Sequence, residues 1–207
     1  MQPLLPGCTY HIYNQANSSD NIFREVKNYP LFLQKYEKHI APIAETFAWC
    51  LMPYHFHLLL KIHNENTLLN KFPNLQGFKN LEGLEQLINR FIAKQSPNLF
   101  NSYSKSINKV YSRRGSLFNP RFKRKLISSD DQFRDTFLYI HLNPVKHGFT
   151  DHEHNWPHSS FHIYASCLSD SFINLNHSIQ MFGNYRNLLY CMNKKRNKIL
   201  SLKEEFY

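Results

Sequence analysis

Residues 46–62 read TFAWCLMPYHFHLLLKI, and this stretch decides the fold. Its first part, residues 46–52, is short and rich in aromatic and aliphatic residues, which is typical of a buried strand. Pro53 and Tyr54 interrupt it, and residues 55–62 form a second apolar stretch immediately afterwards. Because two strands with so tight a connection pair antiparallel, the sequence predicts a buried β-hairpin.

Periodicity and helix-breaking residues predict further elements on both sides of this hairpin. Strands are expected at 8–15 and 116–127, and helices at 30–40, 81–111, 130–142 and 185–192. We expect Pro97 to break the long helical region and Pro120 to make the last strand an edge or irregular one. Ser129 is a suitable N-cap for the helix that follows it. The order β-α-β-β-α-β-α predicts an α+β fold, with a split β-α-β antiparallel sheet flanked by helices.

Charge and composition narrow the class of protein. The 207 residues carry 25 Lys and Arg against 15 Asp and Glu, a net charge of +10, which points to nucleic acid, a membrane surface or a phosphorylated ligand. A hydrophobic content of 42% excludes a disordered chain. No apolar run suits a signal peptide or a membrane span. The four cysteines include no C-x-x-C pair, which is typical of a reduced, cytoplasmic protein.

His55 and His57 are the sharpest local feature of the sequence. On a strand, residues i and i+2 point to the same face, so the two imidazoles would project side by side while Phe56 faces the core. Such a pair can share one metal ion, and added oxygen ligands would admit Mn²⁺ or Mg²⁺. Two alternatives stay open: surface histidines in a chain that has 12 of them, and a zinc hydrolase, although the H-E-x-x-H arrangement is absent.

The helix predicted at 130–142 places Tyr139 and Asn143 on one face, because they are four residues apart. An asparagine oxygen is a suitable third ligand for a hard cation, and the phenol one turn earlier would lie beside it. Tyrosine can be a covalent nucleophile once it is activated, since its ordinary pKa is about 10. The alternative is a core or rim aromatic residue followed by an Asn-Pro helix stop.

A basic segment at residues 105–125 contains no Asp or Glu. Aromatic residues are interleaved with its charges, a combination that suits phosphates and unpaired bases. The candidate DNA-binding residues are Lys105, Lys109, Arg113, Arg114, Arg121, Lys123, Arg124 and Lys125. The alternative is a solvated surface without a ligand.

Four segments of the chain are informative as a set. They are 50–60 (CLMPYHFHLLL), 115–123 (GSLFNPRFK), 139–145 (YIHLNPV) and 156–161 (WPHSSF). In this order they resemble the single-tyrosine HUH transposases of the IS200 type, especially the REP-associated branch. The chain departs from the family pattern at Tyr54, where an asparagine is common, and such departures concern DNA contacts rather than the reacting groups.

The resemblance implies a fold and a reaction. The fold would be a ferredoxin- or RRM-like HUH palm over residues 8–150, with a helical or irregular, DNA-contacting extension over residues 151–207. The reaction would be metal-dependent cleavage and rejoining of single-stranded DNA beside hairpins, through a 5′-phosphotyrosine intermediate. The protein would act as a monomer or a homodimer.

The resemblance also implies roles for individual residues. His55, His57 and Asn143 would bind Mg²⁺ or Mn²⁺, and Tyr139 would be the nucleophile. Two alternatives remain for the function as a whole. One is a non-catalytic module that binds hairpin DNA or RNA on an RRM-like sheet. The other is a domesticated transposase with a host role.

Overall fold

The structure is a computed structural model that describes residues 3–17, 20–76, 81–166 and 172–204. The strands in these ranges are β1 (Thr9–Gln15), β2 (Ala44–Met52), β3 (His55–Ile62) and β4 (Lys123–Ile127). The α-helices are α1 (Asn28–His39), α2 (Glu65–Lys71), α3 (Leu81–Val110), α4 (Asp130–His141), α5 (Asn143–Lys146), α6 (Phe161–Ser166), α7 (Leu175–Met181) and α8 (Tyr185–Glu204).

The strands form one antiparallel sheet in the order β2-β3-β1-β4. β2 and β3 are the hairpin predicted from residues 46–62, with Pro53 and Tyr54 in its turn. β1 pairs with β3 and with β4, so it lies inside the sheet and β2 and β4 lie at its edges. The α+β class and the antiparallel sheet flanked by helices are therefore confirmed.

Along the central strands, successive side chains point alternately to the two faces of the sheet. On one face the ring of Phe56 contacts Phe32 of α1 and Phe100 of α3, and these rings are part of the hydrophobic core. On the other face lie His11 and His57, and α4 packs there against β2 and β3. The face that carries the histidines is therefore covered by α4 and, at β2, also by α7, and it is the more polar of the two.

α3 runs without interruption through Pro97, so the predicted break there is wrong. A proline inside a helix removes one hydrogen bond and crowds a carbonyl, at a cost of about 3 kcal/mol. The apolar face continues past it, since Leu99, Tyr103 and Ile107 are buried like Ile92 before it. Because each such side chain contributes about 1.5–3 kcal/mol on burial, packing against α1 outweighs the local cost.

The strand predicted at 116–127 is shorter than expected and begins at Lys123. Pro120 has no N–H to donate to a ladder. Before it, Phe118 makes an isolated bridge with Ala16, just beyond the end of β1. The chain therefore meets β1 twice, with the proline in the gap. The helix predicted at 185–192 extends further, and α2, α5, α6 and α7 were not predicted.

The chain after residue 150 packs against the edge strand β2. Ser159 bridges to Cys50 in antiparallel fashion, and Ile173 bridges to Thr46 in parallel fashion. These contacts cover an edge that would otherwise be open to pairing with another chain. No helix in the described part of the chain is long and apolar enough to cross a membrane.

Candidate active site

The two predicted metal-binding histidines lie at the end of the sheet where β1 finishes and β3 begins. His55 pairs with Gln15 and His57 with Tyr13, and both histidines are buried. Their ring centroids are 5.1 Å apart. The two-residue spacing thus places both imidazoles on one face of the sheet.

α4 crosses this face and carries the candidate nucleophile to the histidines. The side chain of Ser129 caps the helix, as predicted. The half-buried Tyr139 ring lies edge-on to His57, with centroids 5.2 Å apart. One turn later, Oδ1 of Asn143 lies 2.7 Å from Nε2 of His55. The structure therefore brings all four candidate residues together, although they come from β3, α4 and α5.

A third imidazole, which was not predicted, belongs to the same cluster. His11 of β1 is buried, and its Nε2 lies 2.9 Å from Nδ1 of His57. Its ring stacks on Tyr13 at 4.8 Å and lies 6.0 Å from the ring of Tyr139. Strand alternation could have placed His11 opposite the core-facing Ile12, but its contact with His57 depends on the register between two strands far apart in sequence.

Burial keeps these imidazoles neutral. It lowers the pKa of His11 to about 4, and the nearby charge of Lys125 acts in the same direction. It also lowers the pKa values of His55 and His57, the latter strongly. A neutral imidazole has a lone pair on one ring nitrogen and can bind a metal ion.

The donor set at this site fits a divalent cation. Oδ1 of Asn143 and Nε2 of His55 converge to 2.7 Å, and His57 is the next imidazole along the strand. The amide nitrogen of Asn143 is buried and has no hydrogen-bond partner in the described part of the chain. An amide N–H is a donor and cannot ligate a cation, so any ion at this site would contact Asn143 through Oδ1. Two imidazoles and one amide oxygen suit Mn²⁺ somewhat better than Mg²⁺.

The Tyr139 phenol is not activated by the protein alone. Burial raises its pKa above the ordinary value, and the side chain of Asn143 acts in the opposite direction with a smaller effect. Lys146 lies over the ring, with Nζ 5.1 Å from its centroid. The phenol is therefore protonated at neutral pH and must lose its proton during any nucleophilic attack.

Ser160, in the segment WPHSSF, ties α4 to β2. Its Oγ accepts from the N–H of Trp49 at 2.9 Å and lies 2.8 Å from Nε2 of His141. His141 is fully buried two residues after Tyr139, and burial lowers its pKa to about 3. The contact between Ser160 and the neutral His141 fixes the C-terminal turn of α4 against β2. It therefore also fixes the distance of Tyr139 from the sheet.

A cavity of about 230 Å³ opens beside the cluster. Its walls come from the end of β1, the start of β3, the approach to β4 and the helix region after Tyr139. The lining residues are Tyr13, Asn14, Gln15, Tyr54, His55, His57, Asn119, Arg121, Lys123, Tyr139 and His147. The cavity therefore contains amides, basic groups and aromatic rings together with the candidate nucleophile.

The basic residues predicted to bind DNA are distributed over several surfaces. Arg121 and Lys123 line the cavity. Lys125 pairs with His11 and shares its face of the sheet. Arg124 points to the opposite face, where its guanidinium lies 5.1 Å from the centroid of the Phe122 ring.

The other four of these residues lie on α3 and in the turn that follows it. Lys105, Lys109 and Arg114 are exposed. Arg113 is not, since its guanidinium is mostly covered and pairs with Asp20 at 2.9 Å. All eight remain predictions as DNA-binding residues, but those near the cavity have the shortest path to the candidate nucleophile.

A second cluster of potential metal ligands lies in the C-terminal region. His152, Glu153 and His154 each hold one ligand atom within 4.8 Å of the others. Arg196 occupies this cluster, because its Nη1 donates to both carboxylate oxygens of Glu153 and lies 2.7 Å from Nε2 of His152. A fixed positive charge opposes a divalent cation, so we interpret the cluster as an anchor for α8.

Comparisons with known proteins confirm the predicted resemblance. The chain is 30% identical over 119 residues to a Haemophilus influenzae protein assigned to the REP-associated tyrosine transposases, covering 57% of this chain and 59% of that protein. It is 38% identical over 47 residues to a REP-associated tyrosine transposase of Escherichia coli, covering 23% of this chain and 28% of that protein. The chain thus spans less than two thirds of either relative. No protein-family model matches it.

The fold is also that of a solved structure. A REP-associated tyrosine transposase bound to a REP hairpin superposes with a TM-score of 0.57 at 16% identity, over 80% of this chain and 84% of that chain. The likeness extends well beyond the segments that carry the sequence resemblance. It shows that the antiparallel sheet and its flanking helices are arranged alike in the two proteins.

Proposed function

We propose that this relative of the REP-associated tyrosine transposases cleaves and rejoins single-stranded DNA beside hairpins, with Tyr139 as the nucleophile. The observation that carries the proposal is the meeting of the Tyr139 ring with the buried imidazoles of His55 and His57. A module that only binds nucleic acid requires basic groups and aromatic rings. It does not require a half-buried phenol among neutral imidazoles. Catalysis explains that arrangement, and binding alone does not.

His55, His57 and Asn143 would hold Mg²⁺ or Mn²⁺. When bound, such an ion neutralises negative charge that develops on the scissile phosphate. The protein contributes neutral ring nitrogens and an amide oxygen in a preformed, buried cluster. The same cluster would hold a substrate phosphate close to the Tyr139 ring.

The reaction is a pair of transesterifications in which atoms and bonds balance. The phenol oxygen of Tyr139 attacks phosphorus, while the bond from phosphorus to the 3′ oxygen breaks. The phenol loses its proton and the leaving oxygen gains one, which yields a 5′-phosphotyrosine and a free 3′-OH. In the second step a 3′-OH attacks the phosphotyrosine and releases the tyrosine. Each step exchanges one phosphate ester for another, so no nucleotide hydrolysis is needed.

The substrate is a single strand that adjoins a hairpin. Arg121 and Lys123 at the cavity wall would hold phosphates, and the neighbouring amides of Gln15 and Asn119 would contact bases. The solved relative is bound to a REP hairpin, which supports the same class of substrate here. The reaction would take place in the cytoplasm, where a protein with reduced cysteines meets chromosomal DNA.

The experiment is adduct detection with labelled DNA. Oligonucleotides that carry the hairpins flanking the gene, with their single-stranded arms, are incubated with protein and Mn²⁺ and separated on a denaturing gel. We expect a covalent protein–DNA band with the wild type and none with Tyr139→Phe, which keeps the ring and loses the attacking oxygen. Tyr13→Phe is the matched control, since Tyr13 lines the same cavity and should keep the band.

The outcomes separate the candidate functions. A band that persists in Tyr139→Phe would show that another residue is the nucleophile. Tight binding of hairpins by the wild type with no band under any divalent metal would favour the non-catalytic binding module instead.

A further inference from the structure

Four rings form a continuous series of contacts that starts at the cavity and leads away from it. Tyr54, which lines the cavity, lies 6.3 Å from Phe149 between ring centroids. Phe149 lies 5.4 Å from Trp156, and Trp156 lies 5.6 Å from His158. We call Tyr54, Phe149, Trp156 and His158 the aromatic series. Its last two members belong to the segment WPHSSF, and nothing in the reaction proposed above uses them.

The start of the series is open to solvent. Tyr54 is 38% exposed and Phe149 is 42% exposed. In the described part of the chain, the only other large aromatic side chain of comparable exposure is Tyr190 on α8. Two such rings in contact, one of which lines the cavity, form a contiguous exposed apolar patch beside it, and such patches are often interaction surfaces.

The series is held in place by the backbone. Gly148 ends α5 with a φ of 73°, a left-handed conformation that glycine adopts easily. The N–H of Phe149 then donates to the carbonyl of Pro144 at 3.0 Å. Nε1 of Trp156 donates to the carbonyl of Leu51 at 3.1 Å. Rings whose attachment is fixed in this way lose little conformational freedom when a ligand stacks on them.

The far end of the series is rigid as well. His158 stacks face to face on Tyr29, with centroids 3.4 Å apart and an interplanar angle of 6°. Tyr29 is buried against the core. The aromatic series is therefore anchored in the core at one end, and its neighbouring rings are inclined to one another by 40° to 87°.

The series lies on the opposite side of the cavity from the basic wall. Tyr54 is in the turn between β2 and β3, whereas Lys123 begins β4 at the other edge of the sheet. β3 and β1 lie between them and carry the histidines. A single-stranded nucleic acid that crosses the cavity would thus contact phosphate-binding cations on one side and aromatic rings on the other.

We propose that the two exposed rings of the aromatic series, Tyr54 and Phe149, stack bases of the single-stranded DNA segment that leaves the cavity on the side away from Arg121 and Lys123. The identification of the strand as DNA depends on the proposed function. Unpaired bases are the partner that fits, because base–aromatic stacking requires only a flat exposed ring and tolerates any sequence. The loss of one stacked base corresponds to about a 5- to 150-fold loss of affinity.

The test compares two DNAs in the Tyr139→Phe background, where no cleavage complicates binding. One is a hairpin with its single-stranded arms, and the other is the same hairpin without arms. Phe149→Ala should weaken binding of the first by about tenfold and leave the second unchanged. Phe149→Leu should behave like Phe149→Ala, because it keeps apolar bulk and loses the flat ring. Tyr190→Ala removes an exposed aromatic ring elsewhere and should affect neither.

A second set of DNAs locates the contact on the strand. Abasic sites placed one at a time along each arm should abolish the effect of Phe149→Ala at one or two positions of one arm only. Equal affinities of wild type and Phe149→Ala for all armed hairpins would overturn the proposal, and so would an equal loss with the armless hairpin.

Failure of this proposal can be told apart from failure of the proposed function. If armed hairpins bind as expected but wild-type protein forms no covalent adduct, the proposed stacking surface is supported and the proposed cleavage reaction is contradicted. If adducts form and the Phe149 variants bind like wild type, the chemistry stands and the stacking surface fails. Thermal melting of the Phe149 variants verifies that they are folded.

Discussion

Nε2 of His11 lies 2.9 Å from Nδ1 of His57, on the neighbouring strand. One of these two nitrogens donates a proton to the other. When Nδ1 of His57 is the donor, its Nε2 keeps the lone pair that a metal ion requires. In that tautomer, His11 fixes both the ring orientation of the proposed ligand and the nitrogen that it offers.

Replacement of His11 should weaken metal binding without removing a proposed ligand. We expect His11→Ala to lower the affinity for Mn²⁺ by about 10- to 100-fold, the usual effect of losing a partner that orients a ligand. His11→Gln, whose amide can reach the position of Nε2, should recover part of the loss. Isothermal titration of DNA-free protein with Mn²⁺ measures both effects.

His63→Ala is a matched control for His11. His63 follows β3 at its far end and contacts Lys71 instead of the cluster. Its affinity for Mn²⁺ should equal that of the wild type. If His11→Ala also bound Mn²⁺ like the wild type, His11 would be a packing residue without a role in the metal site.

The stabilisation of the fold by Mn²⁺ should depend on the side chain of Asn143. Binding to the native state alone raises stability by about 2.7 kcal/mol at a concentration 100 times the Kd. We expect Asn143→Leu to abolish the rise in melting temperature that Mn²⁺ causes, because the amide oxygen beside His55 is lost. Asn143→Asp should retain it, since a carboxylate is also a good ligand for Mn²⁺. A full Mn²⁺-dependent shift in Asn143→Leu would exclude the side chain as a ligand.

Basic residues at the cavity should contribute more to DNA binding than Arg113 does. Each phosphate contact to a single strand adds about 0.7 to the slope of log affinity against log salt. The double variant Arg121→Ala with Lys123→Ala should thus lower the slope by about 1.4. Arg113→Ala should change it little, because Asp20 already neutralises that guanidinium. Filter binding of armed hairpins over a range of salt concentrations gives the slopes, and a larger loss for Arg113→Ala would place the DNA path along α3.

Ser160 should contribute to stability through two buried partners. Ser160→Ala leaves the N–H of Trp49 and Nε2 of His141 without their hydrogen-bond partner. The loss of a partner inside the protein costs about 1–3 kcal/mol for each unsatisfied group. Urea denaturation should therefore show a lower free energy of unfolding for Ser160→Ala. Ser201→Ala, at an exposed position of α8, should have no such effect, and equal stability of the two variants would contradict the anchoring role.

Much of the site was predictable because its key spacings are local. The two-residue interval between His55 and His57 places both rings on one side of any strand. The four-residue interval between Tyr139 and Asn143 would place both side chains on one side of a single helix. In the structure α4 ends at His141 and Asn143 begins α5. The cap at Ser129 marked the start of that helix correctly. What these spacings could not reveal is that the strand face and the helix face meet.

The errors have a common origin. The break predicted at Pro97 followed from the local cost of proline, whereas the apolar face that continues along α3 is buried against another helix. The strand predicted at 116–127 was too long because the pairing partner, β1, determines where a ladder can form. Both outcomes depend on contacts between distant parts of the chain.

The sequence by itself determined the β2–β3 hairpin, the periodicity of α4 and the spacing of the four candidate residues. Only the tertiary structure decided that His11 contacts His57, that Arg113 is occupied by Asp20 and that Phe149 continues a series of rings from the cavity. The physical reason is that side-chain direction within one element follows from backbone geometry. Contact between elements instead depends on strand register and on the packing of the whole core, which no short segment specifies.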